Sequence, residues 1–299
     1  MDTIERIEHV TQFNTSRGQQ TLHPLVSVLD QSLSVPLATG RRLSALYLVF
    51  LKNTGGKACQ YGRSTYDYQQ DTLIFIAPGQ VFGLELPPGE VVQPSGWALA
   101  FHPDLLKGTA LHGRMGGYRF FEYSVNEALQ LSEREKGIVL ECFFKIREEL
   151  ERGWDKHSKS LIVSNIELLL GYCVRFYDRQ FLMREPLNKD ILARFEQLLK
   201  HYFQSDKPTL QGLPTVAYCA DQLHLSSNYF GDLIKKETGM SALEFIQAQV
   251  IDLAKEKMFE ADKPIGQIAL EMGYKYPQHF ARLFKQRVGM SPVAYRKML

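Results

Sequence analysis

Arg282 and Gln278 carry side chains whose hydrogen-bonding patterns match the edges of DNA bases. A guanidinium can pair with two acceptors of guanine, and a carboxamide with one donor and one acceptor of adenine. Asn228, fifty residues before Gln278, offers the same carboxamide chemistry. Cations suited to phosphate stand close by: Lys235 and Lys236 follow Asn228, and Lys285 and Arg287 follow Arg282. Phosphate contacts position a protein on a duplex, whereas base-edge contacts specify the sequence. Taken singly, each residue reads better as a solvated surface side chain. Their placement on two matching segments is what argues for a shared use.

The match between the segments is close. Cys219-Ala220-Asp221-Gln222-Leu223-His224-Leu225 leads to Phe230, Leu233, Lys235 and Gly239-Met240-Ser241. Ile268-Ala269-Leu270-Glu271-Met272-Gly273-Tyr274 leads to Phe280, Leu283, Lys285 and Gly289-Met290-Ser291. The openings are 49 residues apart and the Gly-Met-Ser ends 50, so one extra residue, Lys275 or Tyr276, enters the second copy between its short helices. A repeated helix–turn–helix with its length change confined to the turn describes two DNA-reading units in tandem.

Each unit, at about 212–239 and 262–289, requires a positioning helix behind a reading helix. In the first, Val216, Cys219, Ala220 and Leu223 form the buried side of the positioning helix, and Ser226 or Ser227 caps the next. Phe230, Leu233 and Ile234 then point inward, leaving Asn228, Gly231, Asp232, Lys235 and Lys236 outside. In the second, Pro264 opens the positioning helix and Ile265, Ile268, Ala269 and Met272 are buried. Gly273 suits a turn residue of positive φ. Phe280, Leu283 and Phe284 face the core, and Gln278, Ala281, Arg282 and Lys285 face out. Ser226, Ser227, Lys235, Lys236, Lys285 and Arg287 are the phosphate candidates.

A continuous helix from about Ala242 to Glu260 joins the units, with Leu243, Ile246, Val250, Leu253 and Ala254 at helical spacing. Its expected length of roughly 28 Å compares with about 34 Å between successive major-groove faces. Such a connector holds two reading helices one turn of DNA apart. The net charge is only +2, yet Tyr274 to Leu299 contains Lys275, Arg282, Lys285, Arg287, Arg296 and Lys297 and no acid. A local cluster of this kind neutralises phosphates on a nearly neutral molecule.

The first half reads differently. Leu43–Leu51, Thr65–Tyr68, Leu73–Ile76, Val81–Leu86 and Gly96–Phe101 are short strand patterns, separated by turns such as Asn53-Thr54-Gly55-Gly56 and Pro87-Pro88-Gly89. They suggest a small sandwich or barrel. Ser132 and Glu135 form a capping box for a helix carrying Ile138, Cys142, Ile146 and Leu150, which Gly153 ends. A second helix, about 158–179, carries Leu161, Ile162, Ile166, Leu169 and Val174. These helices, at about 132–152 and 158–179, either cover their own sheet or pair with a second copy of the chain. Pro186 and a capping Asn188 mark the domain boundary, giving domains 1–184 and 185–299; a new helix from Lys189 to Gln204 is followed by a loop through Lys207-Pro208, and Pro214 suits the first turn of the next helix.

The bulk properties exclude several classes. Hydrophobic content of 44% supports a real core, and the polar start resembles no signal peptide. The apolar run around Leu168-Leu169-Leu170 is broken by Glu167 and Arg175, so no membrane span is expected. Cys59, Cys142, Cys173 and Cys219 form no metal-binding pair and are expected reduced and mostly buried in a cytoplasm. No cofactor is called for, and no nucleophile–base pair or phosphate loop stands out.

Ile268-Ala269-x-x-x-Gly273-Tyr274, His279-Phe280-Ala281-Arg282-Leu283-Phe284-Lys285, Gly289-Met290-Ser291-Pro292 and Tyr295-Arg296 together closely resemble the signature of AraC/XylS-family transcription regulators, over about Lys189–Leu299. The resemblance implies a seven-helix domain of two helix–turn–helix units bound to double-stranded promoter DNA, acting with RNA polymerase as an activator or repressor. It also implies base contacts by Asn228, Gly231 and Asp232 in the first unit and by Gln278, Ala281 and Arg282 in the second. Gly231 and Asp232 depart from the large or basic residues frequent in such proteins, and Val250 stands where many carry an arginine. Asp232 cannot bind phosphate but can accept from a cytosine amino group.

The N-terminal half resembles the cupin-like sensor domains attached to such regulators, giving an α+β fold overall: a cupin-like β-barrel or sandwich with two following helices, then an all-α domain. Tyr47, Phe75, Phe82, Trp97, Phe101 and His102 are candidates for a small-molecule effector pocket, and His102 is the histidine to test for metal. Two rivals remain open at this stage: a cupin-type metal enzyme with an accessory helical domain, and an interaction module whose helix–turn–helix units no longer bind DNA.

Overall fold

The computed structural model describes residues 4–52, 59–61, 64–66, 71–84, 86–124, 127–259 and 263–298. It divides into two compact units, Met1–Met183 and Arg184–Leu299.

The N-terminal unit contains strands β1 (Glu5–Ile7), β2 (Val26–Asp30), β3 (Leu37–Ala38), β4 (Gly40–Ser44), β5 (Tyr47–Lys52), β6 (Cys59–Tyr61), β7 (Ser64–Tyr66), β8 (Thr72–Ile76), β9 (Val81–Leu84), β10 (Val91–Val92), β11 (Trp97–Phe101) and β12 (Leu129–Gln130). A five-stranded antiparallel sheet has the order β12-β8-β5-β11-β2, and a three-stranded mixed sheet the order β1-β4-β9. Leu29, Leu48, Phe50, Ile74, Ile76, Ala98 and Ala100 of the larger sheet share one core cluster with Ile7 and Phe82 of the smaller. Helix α1 (Val10–Thr15) closes that cluster with Val10 and Phe13.

The opposite face of the large sheet is also buried. Register pairs Tyr47 with Phe101 and Val49 with both Leu99 and Phe75, so these side chains share the second face. Tyr47 and Phe75 meet Phe121, and Phe75 meets Phe120, both in a 3₁₀ turn at Arg119–Glu122. A short helix α2 (Ala110–Arg114) precedes that turn. Helices α3 (Glu133–Glu151) and α4 (Ser158–Met183) complete the layer, with Trp97 against Phe144 and Phe75 against Tyr177. A strand buried on both faces reads as a continuous apolar run, which is why β5, β8 and β11 stand out in the chain.

Several expectations are corrected. The single strand expected over Leu43–Leu51 is two strands in different sheets, because the Ser44 hydroxyl accepts from Leu46 N at 3.0 Å and donates to Leu46 O at 2.9 Å, turning the chain. The turn at Asn53–Gly56 lies outside the described residues. The Ser132–Glu135 capping box forms and Gly153, at φ 93°, follows the helix end, but Leu161 and Val174 of α4 are exposed rather than buried. Helix α4 is long and apolar enough to cross a membrane by length and composition, contrary to expectation. Eleven of its side chains, including Ile162, Ile166, Leu169 and Phe176, are buried, as in a core helix of a folded domain.

In the C-terminal unit, helices are α5 (Glu185–Gln204), α6 (Lys207–Gln211), α7 (Val216–Gln222), α8 (Ser227–Thr238), α9 (Ala242–Met258), α10 (Ile265–Glu271), α11 (Pro277–Val288) and α12 (Pro292–Arg296). Helix α5 starts before the expected Lys189, with Pro186 in its first turn. Asn188 is therefore no cap: it is buried and donates through Nδ2 to Glu237 Oε1 of α8 at 3.2 Å. The expected loop through Lys207-Pro208 is helical, so the described residues hold one helix more than the seven the resemblance implies. Pro214 precedes α7, whose cap is Thr215. Phe195, Phe230 and Phe245 pack together at the centre, with ring centroids 4.9 and 5.2 Å apart.

Candidate nucleic-acid interface

The two helix–turn–helix units share the same backbone bond where each turn begins. Leu225 N donates to Ala220 O, and Tyr274 N to Ala269 O, both at 2.9 Å. The residue before each is left-handed: His224 at φ 58° and Gly273 at φ 85°. Four residues, 223–226, separate α7 from α8, and five, 272–276, separate α10 from α11. The extra residue thus falls in the turn, as the spacing of the repeat required. Both reading helices end on a left-handed glycine whose N–H bonds the carbonyl four residues back, Gly239 to Lys235 and Gly289 to Lys285. The starts differ. Ser226 accepts from Tyr229 N at 3.2 Å, whereas Tyr276 caps α11 with no side-chain bond and Pro277 takes the first turn.

Phe230, Leu233, Ile234, Phe280 and Phe284 are fully buried, which fixes the opposite side of each reading helix outward. On α11, Gln278, Arg282, Lys285 and Arg287 are exposed and Ala281 half-buried. On α8, Ser227, Lys235 and Lys236 are exposed, while Ser226, Asn228, Gly231 and Asp232 are half-buried. Leu283, expected in the core, is also only half-buried. Arg287 Nη2 donates to Gln247 Oε1 of α9 at 3.1 Å, so this guanidinium reaches back to the connector. Sequence reasoning missed Tyr276 and His279, which are exposed at the start of α11 with ring centroids 5.6 Å apart. The Lys275 ammonium lies 5.7 Å from the Tyr276 ring. The inserted residue in the turn was the signal that pointed there.

The connector α9 is about 26 Å long from its 17 residues, close to the expected strut. Its N-terminus is a capping box in which Ser241 accepts from Glu244 N and Glu244 Oε2 accepts from Ser241 N at 2.9 Å. Those bonds from Ser241, with Arg287 and Lys235 adding attraction, hold the Glu244 carboxyl below its ordinary range. At the other end, Glu271 Oε2 of α10 accepts from Lys257 Nζ at 2.7 Å and Lys263 Nζ at 3.1 Å. Burial raises the Glu271 pKa, but the two ammonium groups outweigh it and the net shift is downward. These contacts tie the second positioning helix to the connector.

The six residues singled out for an effector pocket do not converge. Phe82 belongs to the cluster between the sheets, while Tyr47, Phe75, Trp97 and Phe101 lie on the opposite face. Tyr47 stacks on Phe101 at 5.1 Å, and Trp97 is held by Phe144 and the Arg147 guanidinium. His102 caps a 3₁₀ turn, its Nδ1 accepting from Asp104 N at 3.2 Å. Only Phe75 of the six lines a cavity of about 300 Å³, together with Phe120, Tyr123 and Tyr177. Among the described residues no three of His, Cys, Asp and Glu are grouped as metal ligands.

Comparison with known proteins bears on the repeated motif. The family described as "Helix-turn-helix domain" matches residues 219–298. This region is an AraC-type helix–turn–helix domain. YtdP of Bacillus subtilis, an uncharacterized HTH-type transcriptional regulator, is 31% identical over 109 residues, which is 36% of this chain and 13% of YtdP. AdaA of the same organism, a bifunctional transcriptional activator and DNA repair enzyme, is 32% identical over 94 residues, 31% of this chain and 42% of AdaA. LumQ of Photobacterium leiognathi, a probable transcriptional regulator, is 30% identical over 149 residues, 50% of this chain and 55% of LumQ. The matched segment is therefore well under two thirds of each of these relatives. Among solved structures, the C-terminal domain of AraT from Geobacillus stearothermophilus is 28% identical, covering 36% of this chain and 85% of that one at a TM-score of 0.33. ToxT from Vibrio cholerae is 13% identical, covering 92% of this chain and 99% of that one at a TM-score of 0.31. The AraC-type domain includes both reading helices, α8 and α11, and the connector between them.

Proposed function

We propose that the chain is a sequence-specific regulator of transcription that binds double-stranded promoter DNA with α8 and α11 in successive major grooves. The observation that carries this reading is the duplicated turn geometry with an outward row of Gln278, Arg282 and Lys285 on α11. Arg282 and Gln278 read bases, with Ala281 closely apposed; Lys285, Lys235 and Lys236 take phosphates, and Ser226 and Ser227 present hydroxyls at the start of α8. Asn228, Gly231 and Asp232 form the first unit's reading set and are less exposed than the second's. Domains 1–184 and 185–299 divide the labour between sensing and DNA reading.

The N-terminal domain, read as cupin-like, receives a small-molecule effector that shifts the presentation of the reading helices. The working form is a cytoplasmic homodimer acting with RNA polymerase. In support of the dimer, Leu161, Leu168 and Leu182 of α4 are 49%, 47% and 67% exposed at heptad-related positions, a seam suited to a second copy. Selection from a random duplex library tests the DNA reading: a regulator enriches a defined motif of two half-sites about one helical turn apart. Failure to enrich any motif returns the helix–turn–helix units to a protein-interaction role.

A further inference from the structure

Strand β8 loses its outer partner before it ends. β12 pairs only with Leu73 and Thr72, through Leu129 and Gln130, and Leu131 N donates to Asp71 O at 2.9 Å. Continuing that register would set Glu127 opposite Phe75. Instead Glu127 N turns back to Ser124 O at 2.9 Å, and Ser124 N donates to Glu127 Oε2 at 2.6 Å. Alternate residues of a strand direct their N–H and C=O to alternate sides. Asp71, Leu73, Phe75 and Ala77 therefore share the side away from β5. Asp71 and Leu73 are taken up by the β12 segment, and Ala77 N by Gln80 Oε1 at 2.9 Å. Among the described residues nothing bonds the outward N–H and C=O of Phe75. Phe75 is 5% exposed, and buried backbone groups are nearly always paired.

This open edge faces the cavity of about 300 Å³, at the small end of the range for ligand sites. One wall is aromatic: Phe120 and Tyr177 stack at 5.5 Å and 18°, and Phe75 lies 4.5 Å from Phe120. Among the described lining residues the one formal charge is the acid Glu122. We propose that the cavity binds a neutral or cationic planar aromatic molecule, its ring against Phe120 and Tyr177 and its carboxamide or lactam edge paired with the N–H and C=O of Phe75. An amide presents the matching acceptor and donor, whereas a carboxylate offers two acceptors and no donor for the C=O of Phe75. This deepens the effector reading and places the ligand outside the space between the sheets, which Phe13, Phe50 and Phe82 fill.

The test uses the full chain and two probes of equal shape, benzamide and benzoate, followed by saturation-transfer NMR. Benzamide should bind saturably and at least about tenfold more tightly than benzoate. Ser124→Trp, which fills the cavity from its rim, should abolish benzamide binding while the thermal transition stays at its wild-type position. Benzamide that fails to saturate by about 20 mM, or benzoate that binds as well in the wild-type chain, overturns the assignment without any variant. Undiminished binding by a folded Ser124→Trp protein also overturns it. Duplex selection on the same protein separates the two readings. A chain that enriches a DNA motif but ignores benzamide loses only this site, and one that binds benzamide but enriches no motif loses only the regulator.

Discussion

Gly273 and Gly212 meet backbone to backbone. A Cβ on Gly273 would stand 2.8 Å from the Gly212 carbonyl carbon and 2.9 Å from Leu213 N, and Gly273 holds φ +85°. The turn of the second helix–turn–helix is therefore seated on the segment that leads into the first. Tyr202 donates its hydroxyl to Gly212 O at 2.8 Å and steadies that segment from α5. The relative placement of the two reading units thus rests on this seat as well as on the connector α9.

Gly273→Ala should destabilise the chain by about 2–3 kcal/mol, combining a left-handed backbone with a close backbone contact. Gly239→Ala is the control: its φ is +73° but nothing lies within 4 Å of the added Cβ. That change should cost only about 1 kcal/mol. Urea denaturation of the two variants measures the difference, and equal losses would mean the seat yields easily.

Arg282→Ala should weaken duplex binding by about 1–3 kcal/mol and relax preference at one base position. Lys285→Ala should weaken all duplexes alike and reduce the slope of log affinity against log salt by about one. Fluorescence anisotropy with the selected motif and single-base variants distinguishes the two patterns. An Arg282→Ala protein with unchanged selectivity would remove that side chain from the reading set.

The Ser241–Glu244 box predicts a specific pH response. Because the Glu244 carboxyl is held below its ordinary value of 4.5 in the folded chain, its stabilisation is complete above that value and is lost as pH falls through the lowered one. Glu244→Gln keeps the geometry without the titration. Thermal melts of the two proteins should differ at pH 7 and converge as the pH drops below 4.5.

Burial pushes the Cys142 thiol up to about 11 and the Cys219 thiol up to about 12, so neither is thiolate at neutral pH. Cys173 is shifted in the same direction by burial, with Cys142 adding to it. Mass spectrometry after iodoacetamide treatment at about pH 8 should find these three unmodified in the native chain and alkylated once urea unfolds it. Rapid native labelling of any of them would contradict the packing around α3, α4 and α7.

Local rules made the C-terminal helices readable. The helical period separated Phe230, Leu233, Ile234, Phe280 and Phe284 from the outward side chains, and serine, glycine and proline marked most ends. The offset of 49 becoming 50 located the inserted residue in the turn, because a covalent count does not depend on packing. Asn188 misled for a local reason: a good capping residue was recruited inside a helix to bond Glu237.

The sheet was another matter. Apolar runs such as Tyr47–Lys52 and Thr72–Ile76 are buried on both faces, so no alternation of polar and apolar residues tells which side a given aromatic takes. Residue type alone determined that β5, β8 and β11 would be buried strands. Pairing register, a property of chain segments far apart in sequence, decided that Phe82 lies apart from Phe75 and that β8 keeps an open edge at Phe75; packing of helices distant in the chain decided that Gly273 would find Gly212 beneath it.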